Sequence, residues 1–419
     1  MKKFLLVMFV GVILSGLMGC GKSPVVQSEK DRITSPDVNK TDLEALADGN
    51  NTFAFDLYQA LKETNGNLFY SPYSISSALA MTYAGARGET EKQMGDTLHF
   101  SLPQEKLHPA FNSIALTLAS RGQETEDQDK MGFVLKNVNA IWGQKEYKFQ
   151  PAFLDILAEN YGAGMRTLDF TREPEKSRLT INNWVSEQTA NKIQELLPAG
   201  SIDPGIFLVL TNAVYFKANW FHQFDEKKTI NGQFNLLNGS KVTVPMMNQT
   251  EYFDYAEGNG YQAVELLYRT RELSMIILLP EQGDFQKYEN SLQYSQLKEI
   301  IDNLEYRQVI LSMPKFGFNS EFNLKQTLSK MGMPIAFSGS ADFSGIAEGG
   351  GFIDSVYHSA FVAVDEKGTE AGAATAVTIK KAAPGGPVEF TMDRPFIFLI
   401  RDIETNTILF MGRVVNPLE

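Results

Sequence analysis

The spacing of apolar positions divides the chain into helical and strand-like stretches. Over residues 43–62 apolar side chains recur at helical spacing (Leu43, Leu46, Ala47, then Phe53, Leu57, Ala60, Leu61) and predict an amphipathic helix. Residues 67–76 read as a brief strand running into a Ser cap with Pro72 at the first helical position. The helix that follows, to Ala86, is apolar almost all round and belongs in a core. Residues 151–161 and 177–197 predict two more helices, the second carrying Leu179, Ile181, Trp184, Val185, Ile193 and Leu196. Strand-like runs cover 133–142, 242–247, 273–280, 309–316, 352–364, 396–401 and 408–415. Residues 206–217 are almost continuously apolar, as in a strand covered on both faces, with Asn212 the interruption. Helices dominate the first half and strands the second, so the class is α+β with large, mainly antiparallel sheets.

One stretch keeps a strand period without large side chains. After the strand 361–364, residues Asp365, Glu366, Lys367 and Gly368 read as a bend, with Gly368 free to take positive φ. Small residues and Thr then run from Thr369 to Thr378. Thr369, Ala371, Ala373, Thr375, Val377 and Ile379 share one face, small or apolar enough to bury. Glu370, Gly372, Ala374, Ala376, Thr378 and Lys380 share the other. A flexible linker would carry more Gly, Ser and charge; this segment is suited to become a strand inside a sheet. It closes on Lys380, Lys381, Ala382, Ala383, Pro384, Gly385, Gly386 and Pro387, which should be exposed, extended and open to proteases.

These residues, with Phe410 to Pro417, Ala341 to Ile346 and the block around Asn67 to Ser76, resemble the serpin family over about residues 43–419. The resemblance implies the serpin fold, with about eight to nine helices and an exposed reactive-centre loop near 366–389. It makes 366–371 the hinge of that loop, and the small-residue run marks members that inhibit proteases. The implied function is irreversible, suicide-substrate inhibition of serine or cysteine proteases. A target enzyme cuts the loop, and the segment from Thr369 enters the central sheet with the acyl-enzyme attached. About 15 residues at roughly 3.3 Å each would carry that enzyme some 50 Å. Counting along the family's usual loop length puts the reactive bond at Ala382–Ala383, suiting elastase-like or subtilisin-like enzymes. Lys381 or Lys380 would instead suit a trypsin-like one. Ser71 and Ser74 serve as helix caps, and His358 reads by itself as a core residue. The resemblance places Ser71, Ser74, Asn212 and His358 in one polar cluster between two central strands. It sets Trp220 at the top of the sheet, where Lys315 and Glu366 form a surface pair worth under about 1 kcal/mol. A non-inhibitory serpin acting as a binding or carrier module is the other reading.

Composition narrows the setting. Residues 1–19 carry Lys2 and Lys3 before a short apolar run, and the run ends Leu17-Met18-Gly19-Cys20, which resembles a bacterial lipoprotein processing box. The expectation is a signal peptide removed before Cys20, lipid on that thiol, and an extracytoplasmic, membrane-anchored or secreted protein. Residues 20–42 are polar and read as a flexible tether, leaving 43–419 as one domain. Cys20 is the only cysteine, so the domain forms no internal disulfide. The formal charge of −12 over 419 residues argues against a nucleic-acid partner, and residues 121–130 are acidic where some serpins are basic. The expected partner is a protease bound covalently by a monomer. No cofactor or metal is expected: the four histidines stand in no ligand spacing and there is no G-x-S-x-G elbow, so the chain reads as no enzyme. Residues 258–263 match a dinucleotide fingerprint by letter only, without its strand and helix context.

Overall fold

The computed structural model describes residues 24–121, 133–369 and 386–419, which form nine helices and sixteen strands. The helices are α1 (Lys40–Leu61), α2 (Pro72–Tyr83), α3 (Gly88–Leu98), α4 (Gln104–Ser120), α5 (Pro151–Tyr161), α6 (Pro174–Gln188), α7 (Phe285–Ser291), α8 (Tyr294–Asp302) and α9 (Lys325–Met331). One sheet contains β1 (Val25–Val26), β4 (Met165–Leu168), β3 (Phe133–Gln144), β5 (Leu208–Asn219), β12 (Ile353–Val364) and β11 (Phe316–Asn323), in that spatial order. A two-residue strand, β13 (Gly368–Thr369), adds to β5. The second sheet runs β14 (Val388–Thr391), β10 (Glu305–Pro314), β7 (Lys241–Gly258), β8 (Tyr261–Leu267), β9 (Leu273–Pro280), β15 (Phe396–Asp402), β16 (Ile408–Val414) and β2 (Leu68–Tyr70), with β6 (Ile230–Asn235) paired to β7. Both sheets are mainly antiparallel; β12 with β5, β3 with β4 and β10 with β14 are parallel.

Two apolar cores hold the layers together. The larger buries α2 completely, from Pro72 to Tyr83, under β3 and β5. Pro72 and the Ser71 cap start this helix: Ser71 Oγ accepts from the Ser74 amide at 3.3 Å. The smaller core lies on the opposite face of the first sheet, beneath α6. Ile181 and Val185 of α6 pack with Val138 and Trp142 of β3, Val209 and Ala213 of β5, and Tyr357 of β12. α6 therefore lies on this face of the first sheet, against β3. Trp184 meets Trp142 edge-on at 5.4 Å, and the Arg166 guanidinium lies 4.4 Å from the Trp184 ring centre.

Three sequence readings change, and the dismissal of the fingerprint-like run stands. The helix expected over 177–197 ends at Gln188, because the Thr189 hydroxyl donates back to the Val185 carbonyl and Ala190 and Asn191 turn left-handed. Asn182 then grips the backbone N–H and C=O of Leu197, both at 2.8 Å, so Ile193 and Leu197 reach the same core from a non-helical segment. The run 309–316 is not one strand: Pro314 closes β10 in one sheet, Phe316 opens β11 in the other, and Lys315 stands at the crossover. The fingerprint-like 258–263 is a hairpin turn between β7 and β8, with Gly260 at φ +85°. Residues 24–33, expected within a flexible tether, are docked. Val25 and Val26 pair with Arg166 and Met165 along the open edge of β4, and Lys30 bridges Asp155 and Glu159 of α5 at 3.2 and 2.9 Å. An unpaired strand edge offers a row of free amides and carbonyls, and composition alone does not report that such an edge lies within reach.

Candidate functional site

β5 offers β12 one edge and β3 the other. β3 fills its edge as far as Phe133 opposite Ala218, whereas β12 pairs only from Leu208 to Tyr215. The top of the β12 side is left for β13, where Gly368 and Thr369 pair antiparallel with Asn219 and Ala218. The chain reaches this position through a tight bend. Asp365 Oδ1 accepts the amides of Lys367 and Gly368 at 2.9 and 3.2 Å, and the Asp365 amide donates to the Gly368 carbonyl at 2.9 Å. Gly368 is required here: its φ is +156°, and a Cβ would lie 2.1 Å from the Ala218 carbonyl oxygen.

Thr369 is buried, 1% exposed, with its hydroxyl 3.0 Å from that of Tyr268. Tyr268 stacks on Trp220 at 4.8 Å, and burial pushes its phenol well above the usual range. Trp220 in turn holds the bend, its Nε1 donating to the Asp365 carbonyl at 3.1 Å and its amide to the Lys367 carbonyl at 2.9 Å. Glu366 accepts from Lys315 Nζ at 2.7 Å and from the Thr229 hydroxyl at 2.8 Å. The surface pair expected from sequence is not at the surface on its acidic side, because Glu366 is only 6% exposed. Burial acts to raise its pKa, but the bonds from Lys315 and Thr229 outweigh it and hold the carboxyl below its ordinary value.

Deeper in the same seam a polar row crosses the sheet. Asn139 of β3 lies opposite Asn212 of β5, which lies opposite His358 of β12. Asn212 Nδ2 donates to Asn139 Oδ1 and to Ser74 Oγ, and its Oδ1 meets His358 Nδ1. His358 Nε2 accepts the Ser71 amide at 3.1 Å, so the ring is neutral with its proton on Nδ1. Ser71 Oγ donates to the Leu409 carbonyl at 2.6 Å, and Ser74 Oγ reaches Asn137 and Asn139. Burial lowers the His358 pKa to about 3. Parting β5 from β12 would break the Asn212–His358 bond, the one side-chain link of the row that spans that seam.

The structure thus brings Ser71, Ser74, Asn212 and His358 together, and separately Trp220, Lys315, Glu366, Gly368 and Thr369. Cys20, Ala371, Ala373, Thr375, Val377, Lys380, Lys381, Ala382 and Ala383 lie outside the described residues. Beyond the loop the chain continues as β14, parallel to β10. Sequence reasoning missed Tyr268, Thr229, Asn137 and Asn139. Asn137 and Asn139 had a signal, two polar residues at period two within a strand-forming run; Tyr268 and Thr229 had none. Among the described residues no three His, Cys, Asp or Glu side chains gather as a metal site.

The family model for serpins, serine protease inhibitors, matches residues 48–417. A serpin-like protein of Thermococcus kodakarensis is 42% identical over 371 residues, covering 88% of this chain and 84% of its own. Human leukocyte elastase inhibitor is 39% identical over 388 residues, covering 90% of this chain and all of its own. The native-state structure of the thermophilic serpin tengpin superposes with a TM-score of 0.81 at 27% identity, over 94% of this chain and all of that one. Fold, seam and sequence agree, and the chain belongs to the serpin family.

Proposed function

We propose that this protein is an irreversible protease inhibitor, not a catalyst, and that it works by inserting its cleaved loop between β5 and β12. The observation that carries the reading is Thr369, the first residue of the small-residue run, buried at the top of that seam in strand register with β5. The rest of the run needs only to continue the pairing downward as the two strands separate. Its alternate small residues suit a sheet packed below by α2 and above by α6. The protease's nucleophile attacks the carbonyl of Ala382, the amine of Ala383 leaves with a proton, and the enzyme remains joined to Ala382 as an acyl ester or thioester. Insertion then carries the enzyme away before water can release it. The intact form is accordingly held by a kinetic barrier and is not the lowest in free energy.

An Ala at the cut favours elastase-like or subtilisin-like targets, in keeping with the resemblance to leukocyte elastase inhibitors. Cutting after Lys381 or Lys380 would favour a trypsin-like target. Lipid on Cys20 would tether the inhibitor to a membrane outside the cytoplasm, where such proteases act.

Incubation with elastase and with trypsin tests the reading. A trapped enzyme gives a covalent complex that survives boiling in detergent, and mass spectrometry of the released peptide fixes the bond. A carrier serpin gives only cleaved chains, whose melting temperature need not rise above that of the intact protein. Thr369→Arg sharpens the test. A charge forced into the seam opposes insertion by several kcal/mol, so the variant should be cut at the normal rate and fail to trap. Undiminished trapping would refute the insertion pathway.

A further inference from the structure

The first sheet has a hinge end, where Thr369 pairs with Ala218, and a far end, where β3 finishes at Gln144 and β5 begins at Leu208. The docked N-terminal segment belongs to the far end. Val25 stands level with Arg166 of β4, Arg166 with Trp142 of β3, and Trp142 with Val209 of β5. Along β5, the steps from Val209 to Ala218 at about 3.3 Å each put Val25 about 30 Å from the level of Thr369. β1 runs antiparallel to β4, so the chain before Val25 leads away from the hinge: the Thr167 amide donates to the Pro24 carbonyl at 2.9 Å. The seat is a fitted one. Ser28 Oγ donates to Asp155 Oδ1 at 2.5 Å, and Asn112 Nδ2 donates to the Ile33 carbonyl at 2.7 Å. Gly164 permits the close approach, since a Cβ there would lie 2.8 Å from the Val26 carbonyl oxygen.

Cys20 precedes Val25 by a length of chain that spans at most about 18 Å when fully extended. Lipid on that sulfur therefore cannot reach the hinge end. The loops 145–150, 169–173 and 198–205 meet at the far end, where the Lys145 amide donates to the Leu168 carbonyl at 3.0 Å and Thr171 Oγ1 to the Pro204 carbonyl at 3.2 Å. None of the large apolar side chains exposed among the described residues lies in these loops. Their Lys145, Lys148 and Arg172 are offset by Glu146, Asp169, Glu173 and Asp203. This surface is therefore held to a bilayer by the anchor, not by insertion or charge. We propose that the far end of the first sheet is the membrane-facing surface of this protein, and that the docked segment 24–33 fixes that orientation. The partner is the bilayer that holds the lipid on Cys20. Hinge and loop then face away from it, toward proteases free in the medium or on an opposing surface; an enzyme working at the same bilayer is out of reach. The orientation rests on the lipid anchor proposed above and not on the trapping mechanism. Without the docking, the chain from Cys20 to Lys40 would span up to about 70 Å and leave the domain free to turn.

The full-length lipoprotein in phosphatidylcholine vesicles carrying a headgroup nitroxide tests this. A fluorophore is placed on Arg172→Cys at the far end and, in a separate variant, on Lys227→Cys beside the hinge, where Glu226 meets Lys367 at 3.9 Å. Both positions are exposed, and with Cys20 lipidated the new thiol is the only free one. Nitroxides quench only at close range, so the probe at 172 should lose most of its emission and the probe at 227 should keep the emission it has without nitroxide. Equal quenching, or stronger quenching at 227, overturns the orientation. Twelve Gly/Ser residues inserted after Lys22 add roughly 20 Å of reach on average and should restore most of the emission at 172. Gly164→Leu, which unseats the segment, should do the same. Quenching at 172 that survives both changes refutes the role of the docked segment. Mass spectrometry separates the two levels: an unmodified Cys20 refutes the anchor and the orientation with it, whereas a lipidated protein with both probes quenched alike refutes the orientation alone.

Discussion

His358 makes the closed seam sensitive to acid. Its Nε2 accepts the Ser71 amide and its Nδ1 faces Asn212 Oδ1, while the Phe322 ring stacks alongside at 6.3 Å. A second proton on the ring would leave the Ser71 amide without an acceptor and bury a charge that none of these neighbours can offset. Burial accordingly lowers the folded pKa to about 3, against 6.5 for a free imidazole. Because the opened or unfolded chain binds the proton more tightly, the closed form loses stability as the pH falls below 6.5, and the loss continues down to about pH 3. Above pH 6.5 the group contributes no further change. From pH 7 to pH 5 the linkage amounts to about 2 kcal/mol, or roughly 25-fold in the opening equilibrium. A one-unit change in the folded pKa scarcely alters that figure.

Hydrogen exchange of the β12 amides that pair with β5 reads this opening directly. After correction for intrinsic exchange, protection there should fall about 25-fold between pH 7 and pH 5. His108, lowered by burial to about 4, and His222, lowered chiefly by burial, titrate in the same direction. His358→Gln removes only the contribution at the seam and should flatten the pH dependence of β12. If the variant loses protection as steeply as the parent, His358 does not gate the seam and the reasoning fails.

Other perturbations separate the hinge from the core. Gly368→Ala places a Cβ against the Ala218 carbonyl; β13 should unseat, and limited trypsin digestion should cut after Lys367 markedly faster. Glu366→Gln removes a charged acceptor from Lys315 and Thr229 at a cost of about 1–3 kcal/mol, readable as lost protection of the hinge amides. In the parent that contribution is present above the unfolded carboxyl pKa near 4.5 and disappears as the pH falls through the lower folded value. Arg413 pairs with Glu289 at 2.7 Å, both almost fully buried, so Arg413→Met should lower unfolding stability by about 3–5 kcal/mol in urea. Lys40→Ala, which breaks an exposed pair with Glu44, should change it by less than about 0.5 kcal/mol.

The sequence by itself determined whatever rests on local period and local caps. α5 follows from Pro151 and the helical spacing after it, α2 from the Ser71–Pro72 start, and β9 and β12 from their β-forming apolar runs. Family likeness brought Ser71, Ser74, Asn212 and His358 into one list, although they are far apart along the chain. Tertiary structure decided what depends on an edge, a depth or a crossing. It seated Val25 and Val26 on β4, buried Glu366, turned one apolar run into two strands at Lys315, and ended α6 where Asn182 could clasp Leu197. The reason is physical. Periodicity reports which side of an element is apolar, but not which element lies across from it. The cost of a charge and the pairing of an open edge are set by neighbours that the chain meets only once it has folded.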